Sequence, residues 1–374
     1  MRNHQKHLFL LILILFPFFF NATTIPFELI DGKMIVSVNI KNAPHNFIFD
    51  TGAFTIISSE LKDQLNEEKS KITFQGVDAN NVRSNTEVFS TDDLRISDLK
   101  LKNINFSFAD IGWMSSRACK KISGIFGANM MKGKMWRIDF KMKTINVFEK
   151  SQEQSNIIAA IPFSEENFTS VPKIYAKIRN QNIEFAFDTG SGMGFSVNQK
   201  VYDKIKDKDF LTFQGLLSQS ISSIAKGQRE VDLMEVEINN TKLGNQIIDN
   251  SSDSPNLIGI RFIENYMVDL DFINKKIILT KTIKAPEYQS FGVAFAPIDN
   301  NLVIVNKLEI SQLSGLQLTD KIIKINNMNV SKIDMESFCE VKKLLDQSQS
   351  ITIENESHKT FTLDKKNVLQ YLKL

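Results

Sequence analysis

The chain has 374 residues, 42% hydrophobic and 24% charged, which at roughly 100 to 200 residues per domain gives two or three globular units and excludes a disordered or collagen-like chain. Its 45 Lys and Arg nearly balance 43 Asp and Glu. Such a chain lacks the electrostatic footprint of a nucleic-acid binder.

Residues 1–22 predict an export signal. Arg2 and Lys6 precede an apolar run, residues 8–20, that is shorter than the ~20 residues of a membrane-spanning helix but fits a signal-peptide core. Phe20-Asn21-Ala22 is a poor small-x-small cleavage site, so an uncleaved interfacial anchor is the alternative. Removing this stretch takes two basic groups and no acidic one, leaving 43 of each and a formally neutral chain in the periplasm, the cell envelope or the medium. Cys119 and Cys339 lie far apart and are expected in different domains as buried, unpaired apolar residues.

An internal repeat organises residues 23–284. The alternating segment 35–40 leads through a turn into Phe47-Ile48-Phe49-Asp50-Thr51-Gly52. Without a gap, 138 positions later, residues 173–178 lead into Phe185-Ala186-Phe187-Asp188-Thr189-Gly190. Thr73-Phe74-Gln75-Gly76 recurs as Thr212-Phe213-Gln214-Gly215, and Ile125-Phe126-Gly127 as Leu257-Ile258-Gly259. The Asp139-Phe140 landmark recurs as Asp271-Phe272. These copies predict two β-rich units, 23–150 and 162–284, joined by a polar linker at 151–161. Trp113, Trp136, Met130, Met131 and Met135 are expected in the core, the methionines on the short helix after Gly127.

One Asp-Thr-Gly is a common strand-end turn, whereas two inside a repeat are specific. The paired motifs resemble the aspartic protease superfamily, with retropepsin-like lobes joined in one chain as a pepsin-style pseudo-dimer. The resemblance implies a mainly β, two-lobed acid-protease fold with a six-stranded floor and Asp50 facing Asp188. It also implies that Thr51 and Thr189 cross-bond to the opposite lobe. Gly52 and Gly190 bring backbone N–H groups up to the carboxylates.

Two such carboxyls share one proton, and the charged member activates a water for attack on a peptide bond. No metal, cofactor or nucleophilic side chain is required, and His4, His7, His45 and His358 form no cluster in sequence. Ser191, where the first motif has Ala53, is expected to donate its hydroxyl to Asp188 and leave the shared proton on Asp50. Flaps are expected at 76–86, with Asn80-Asn81 near the tip, and at 215–224.

From residue 285 onward the pattern changes, and Ser314-Gly315-Leu316 through Asn326-Asn327 resembles the core of a bacterial PDZ domain, a small α+β unit. Thr319 and Asn327 stand where that motif has glycine, and Thr tolerates a left-handed backbone poorly. A helix is predicted near 335–345 with Asp334 as its N-cap. The resemblance implies a peptide added as a strand, its terminal carboxylate held by the loop Ser290-Phe291-Gly292-Val293.

The resulting expectation is a monomeric aspartic endopeptidase with intramolecular lobe pairing, acting on peptide or protein substrates, with a C-terminal peptide as the further ligand. The competing class is an inactive protease-fold protein that recruits partners through the PDZ unit. Intact acids, threonines and glycines in both motifs argue against it.

Overall fold

The computed structural model describes residues 22–372 apart from 79, 221–222, 252–254 and 283–286, so all of the expected export segment except Ala22 lies outside the described residues. The fold is mainly β. In the first lobe, alternation buries Met34, Val36 and Val38 on strand Lys33–Ile40. This strand pairs antiparallel with Thr23–Ile30 on one side and Ala43–Asp50 on the other. Ala43–Asp50 then runs parallel to Gly124–Gly127, with Asp50 opposite Gly127. The second lobe repeats the arrangement, as Pro172–Ile178 pairs with Gln181–Phe187, which runs parallel to Leu257–Ile258.

The repeat extends to its turns. Asp139 Oδ1 accepts the N–H groups of Lys141 and Met142, and Asp271 Oδ1 accepts those of Ile273 and Asn274.

A six-stranded floor joins the lobes, in the order Ile157–Pro162, Lys276–Thr282, Tyr266–Asp271, Met135–Asp139, Thr144–Phe148, Thr23–Ile30. The lobes meet where Trp136 pairs with Leu270, and Arg137 reinforces the seam by forking onto Asp269 at 2.8 and 3.2 Å. Trp136, Phe49 and Phe126 are fully buried below the first motif with ring centroids 5.5 to 5.8 Å apart. Each such aromatic pair contributes ~0.5–1.5 kcal/mol beyond its buried area.

Met130, Met131 and Met135 are core residues, although only Met130 lies on the helical turn Ala128–Met130, which Met131 follows, and Met135 opens the strand Met135–Asp139. Trp113 departs from expectation. It sits half-buried on the helix Gly112–Ala118 and lines the cleft between the lobes.

The C-terminal unit contains strands Val293–Ile298, Asn301–Leu308, Lys321–Ile325, Ser350–Asn355 and Thr360–Asp364. Its helix Met335–Gln347 is capped by Asp334, whose carboxylate accepts the Ser337 N–H at 2.9 Å. Thr319 does adopt the left-handed backbone, at φ 73°, which costs ~1–3 kcal/mol. Its N–H is held by the Ile304 carbonyl at 2.9 Å. In the next turn the left-handed residue is Asn326, not Asn327.

Two ties fasten this unit to the lobes. Strand Leu211–Gln219 of the second lobe pairs with Asn301–Leu308, so one sheet runs through both, and Leu211, Phe213, Val231 and Ile247 belong to the C-terminal core. Gly215 makes the contact possible, since at φ 115° it lies directly under the Val305 carbonyl, where a Cβ would collide. The second tie corrects the sequence expectation. Cys119 and Cys339 are bonded to each other, with Cα atoms 5.5 Å apart, because the helix Met335–Gln347 lies against the segment following Gly112–Ala118. Lys342, one turn from Cys339, donates to the Arg117 carbonyl at 2.6 Å and pairs with Asp31 at 3.4 Å.

Candidate active site

Asp50 ends the strand Ala43–Asp50, and Asp188 follows Gln181–Phe187. Both strands are apolar and buried just before the acid, so each carboxyl emerges at the end of a rigid element. Each chain then turns back on its own acid. Gly52 donates its N–H to Asp50 Oδ1 at 2.8 Å, and Gly190 donates to Asp188 Oδ1 at 2.7 Å. The glycines also make room across the interface, since a Cβ on Gly52 would overlap the Asp188 carboxyl and one on Gly190 the Asp50 carboxyl.

The threonines interlock the two turns. Thr51 Oγ1 donates to the Phe187 carbonyl at 2.6 Å and accepts the Thr189 N–H at 3.0 Å. Thr189 Oγ1 donates to the Phe49 carbonyl at 2.9 Å and accepts the Thr51 N–H at 3.0 Å. Both side chains are fully buried, so these four bonds fix the acids relative to one another without competition from water.

The two carboxyls face each other across the interface, each against the glycine of the opposite turn. Burial, then the charge and hydrogen-bonding of Asp188, hold Asp50 well above the usual carboxylate range, against the opposing pull of Lys33 and the Gly52 N–H. The Ser191 hydroxyl does not make the expected bond to Asp188. Asp188 Oδ1 accepts a second backbone N–H, from Ser191 at 3.0 Å, while the Ser191 hydroxyl lies toward the Met193 N–H at 3.5 Å. The backbone of the turn thus supplies the donor that the sequence attributed to the side chain.

Lys33 was not foreseen. Its ammonium reaches across to the Gly190 carbonyl and faces both acids. Burial lowers its pKa, opposed by Asp188 and then Asp50. The repeat carries one signal for it, because the position 138 residues later is Val171, leaving one cation without a counterpart.

Both expected flaps are hairpins. Glu68–Val77 with Arg83–Thr91 forms one, and Leu211–Gln219 with Ile224–Ile238 the other. Their tips meet. Asp78 accepts hydroxyls from Ser220 and, at 2.7 Å, Ser223, while Asn80 Nδ2 donates to Ser223 Oγ at 2.9 Å. Burial would raise the Asp78 pKa, but the Ser220 and Ser223 hydrogen bonds outweigh it and the net shift is downward.

The cleft beneath has a volume of about 1900 Å³ and is lined by both acids, both flaps, Trp113 and the residues Ser290, Phe291 and Val293 of the C-terminal loop. In that loop Gly292 has φ 78°, and its N–H bonds Ser290 Oγ at 2.9 Å. The dyad and the loop, read separately in the sequence, thus border one cavity.

A search of curated proteins finds no match to this chain. Among solved structures it is similar to the aspartic proteinase from Irpex lacteus, at 11% identity and a TM-score of 0.45, over 70% of this chain and 98% of that one. Residues 36–130, which run from the strand before the first motif to the turn after Gly127, match the Aspartyl protease family model.

Proposed function

We propose that the mature chain is an exported aspartic endopeptidase that acts as a monomer, each lobe contributing one carboxyl. The observation that carries this reading is the facing Asp50–Asp188 pair, interlocked through Thr51 and Thr189 at the floor of a cleft bordered by both flaps. Burial and the Asp188 charge hold the Asp50 carboxyl well above the usual carboxylate range, and in this reading Asp50 retains the proton. Asp188 accepts a proton from a water held between the acids as that water attacks the scissile carbonyl. Asp50 donates to the developing oxyanion. Closed flaps exclude bulk water, which strengthens these interactions. The disulfide supports an oxidising, exported location.

The C-terminal unit fits a PDZ-like peptide-binding role. Among the described residues its strand Val293–Ile298 pairs along one edge only, and this strand and the helix Met335–Gln347 both contribute to the cleft wall.

The test is cleavage of a peptide library by the chain lacking residues 1–22, with Asp50→Asn and Asp188→Asn variants and a statine-type inhibitor. Each variant is expected to lose activity by several orders of magnitude, and the inhibitor to block the wild type. Full activity in either variant refutes the dyad. An inert wild type that still binds peptides favours the binding-protein reading.

A further inference from the structure

The two lobes differ in charge at three positions that the fold makes equivalent. On the inner flap strand, Thr86 pairs with Phe74 in the first lobe, and Arg229 pairs with Phe213 in the second. Beside the parallel strand after the motif, Ser58 faces Ala109, whereas Ser196 faces Asp249. Two residues beyond the landmark glycines stand Asn129 and Arg261. The first-lobe set is neutral and satisfied, since Asn129 Oδ1 accepts both the N–H and the hydroxyl of Thr55, at 2.9 and 2.7 Å. The second-lobe set holds two guanidiniums and one carboxyl.

That carboxyl does not satisfy both. Asp249 is fully buried and takes the Ser196 hydroxyl at 2.8 Å, with Arg229 Nε at 3.7 Å, beyond hydrogen-bond reach. Arg261 lies on the Tyr288 ring at 3.7 Å. Arg229 Nε and Arg261 Nη1 are shielded from solvent, and neither has a hydrogen-bond partner. Buried donors of this kind are normally paired. Arg229, Arg261, Ser196 and Tyr288 all line the cavity that holds the acids. The backbone of Arg261 is fixed to the turn after Asp188 by its N–H on the Met193 carbonyl at 3.2 Å.

We infer that Arg229 and Arg261 form a subsite for a carboxylate of the bound peptide, either an acidic side chain or a free C-terminus. This rests on reading the cleft as a peptide site. A planar carboxylate matches guanidinium donors better than any neutral side chain, and it neutralises the surplus positive charge. Because the equivalent first-lobe positions are neutral, the subsite lies on one side of the dyad and sets the direction in which a peptide is bound. Burial pushes Asp249 up to about 6 against Arg229, Ser196 and Arg261, so mildly acidic conditions weaken the internal competitor for the two arginines.

The test is binding, so that it stands apart from turnover. Statine-containing hexapeptides with Glu or Gln at each position in turn, and with a free or amidated C-terminus, are titrated against the full mature chain by fluorescence anisotropy. The expected result is a preference of about tenfold or more for the carboxylate at one position or at the free end, which also identifies its source. In Arg229→Gln/Arg261→Gln the paired peptides bind equally. No preference in the wild type, or one that survives the double variant, overturns the assignment. Loss of cleavage in Asp50→Asn is read separately and reports only on the dyad.

Discussion

Thr51→Val retains a buried β-branched shape and deletes one hydroxyl. In the native protein that hydroxyl serves the Phe187 carbonyl at 2.6 Å and the Thr189 N–H at 3.0 Å, at a site with no solvent exposure. The variant leaves one acceptor and one donor unpaired, each costing about 1–3 kcal/mol, so the contact between the lobes weakens by roughly 2–6 kcal/mol. The loss is lopsided. The Thr189 amide has no acceptor left, whereas the Thr51 amide keeps Thr189 Oγ1 at 3.0 Å. Hydrogen exchange read at single amides is therefore expected to show Thr189 losing protection by roughly 5- to 150-fold, and Thr51 losing distinctly less. Under the proposed function kcat falls as well, since the acids are positioned only through these turns. Equal losses at the two amides, or an unchanged Thr189, refute the assignment of the contact to this hydroxyl.

Lys33→Met removes a charge that lowers the Asp50 pKa, so the limb of the activity profile on which the shared proton is lost moves to higher pH; a stationary limb shows that Lys33 does not act on the dyad. The sign for stability follows from the same group. Above its ordinary 3.8, native Asp50 keeps a proton the unfolded chain has released, so its contribution is lost as pH rises through the raised native value, and the variant extends that window upward. Cys119→Ser/Cys339→Ser opens a cross-link spanning 220 residues, worth up to ~5 kcal/mol by chain entropy. The expected outcome is a lower midpoint in thermal unfolding, with faster exchange along Met335–Gln347, and an unchanged helix exchange rate contradicts the tie.

The facing of Asp50 and Asp188 was legible because each lobe repeats the same local instruction, an alternating strand ending in Asp-Thr-Gly, and the copies align without a gap. Asp139 and Asp271 show how far that holds, since the same side chain closes the same turn in both lobes. What the sequence hid is what the second lobe does not share with the first. Ser191 looked like a hydroxyl donor because side chains are visible in a sequence and backbone N–H groups are not, yet the turn delivers the N–H. Cys119 and Cys339 looked independent because their proximity exists only after the C-terminal unit has folded back over the first lobe. Trp113 looked like core because large aromatic side chains usually are, and nothing in the sequence marks the cleft that its helix borders.

The same asymmetry decides how the cleft can open. In the first flap, strand Glu68–Val77 ends its sheet, so among the described residues its outer edge has no partner strand, and a hairpin held on one side separates at low cost. In the second flap, Leu211–Gln219 carries the C-terminal sheet on its outer edge. Lifting it breaks that ladder together with the Asn306 side-chain bond to the Leu216 carbonyl at 3.0 Å and the Glu309 N–H bond to the Thr212 carbonyl at 2.8 Å. The C-terminal unit is itself pinned to the first lobe through Cys339 and Lys342, so it cannot follow the second flap outward without straining those ties. The opening motion therefore falls to the first flap, whose tip must release Ser223 from Asp78 and Asn80. Under the proposed function, the second flap, with Arg229 on its inner strand, is then the fixed wall against which a peptide is aligned before the first flap closes.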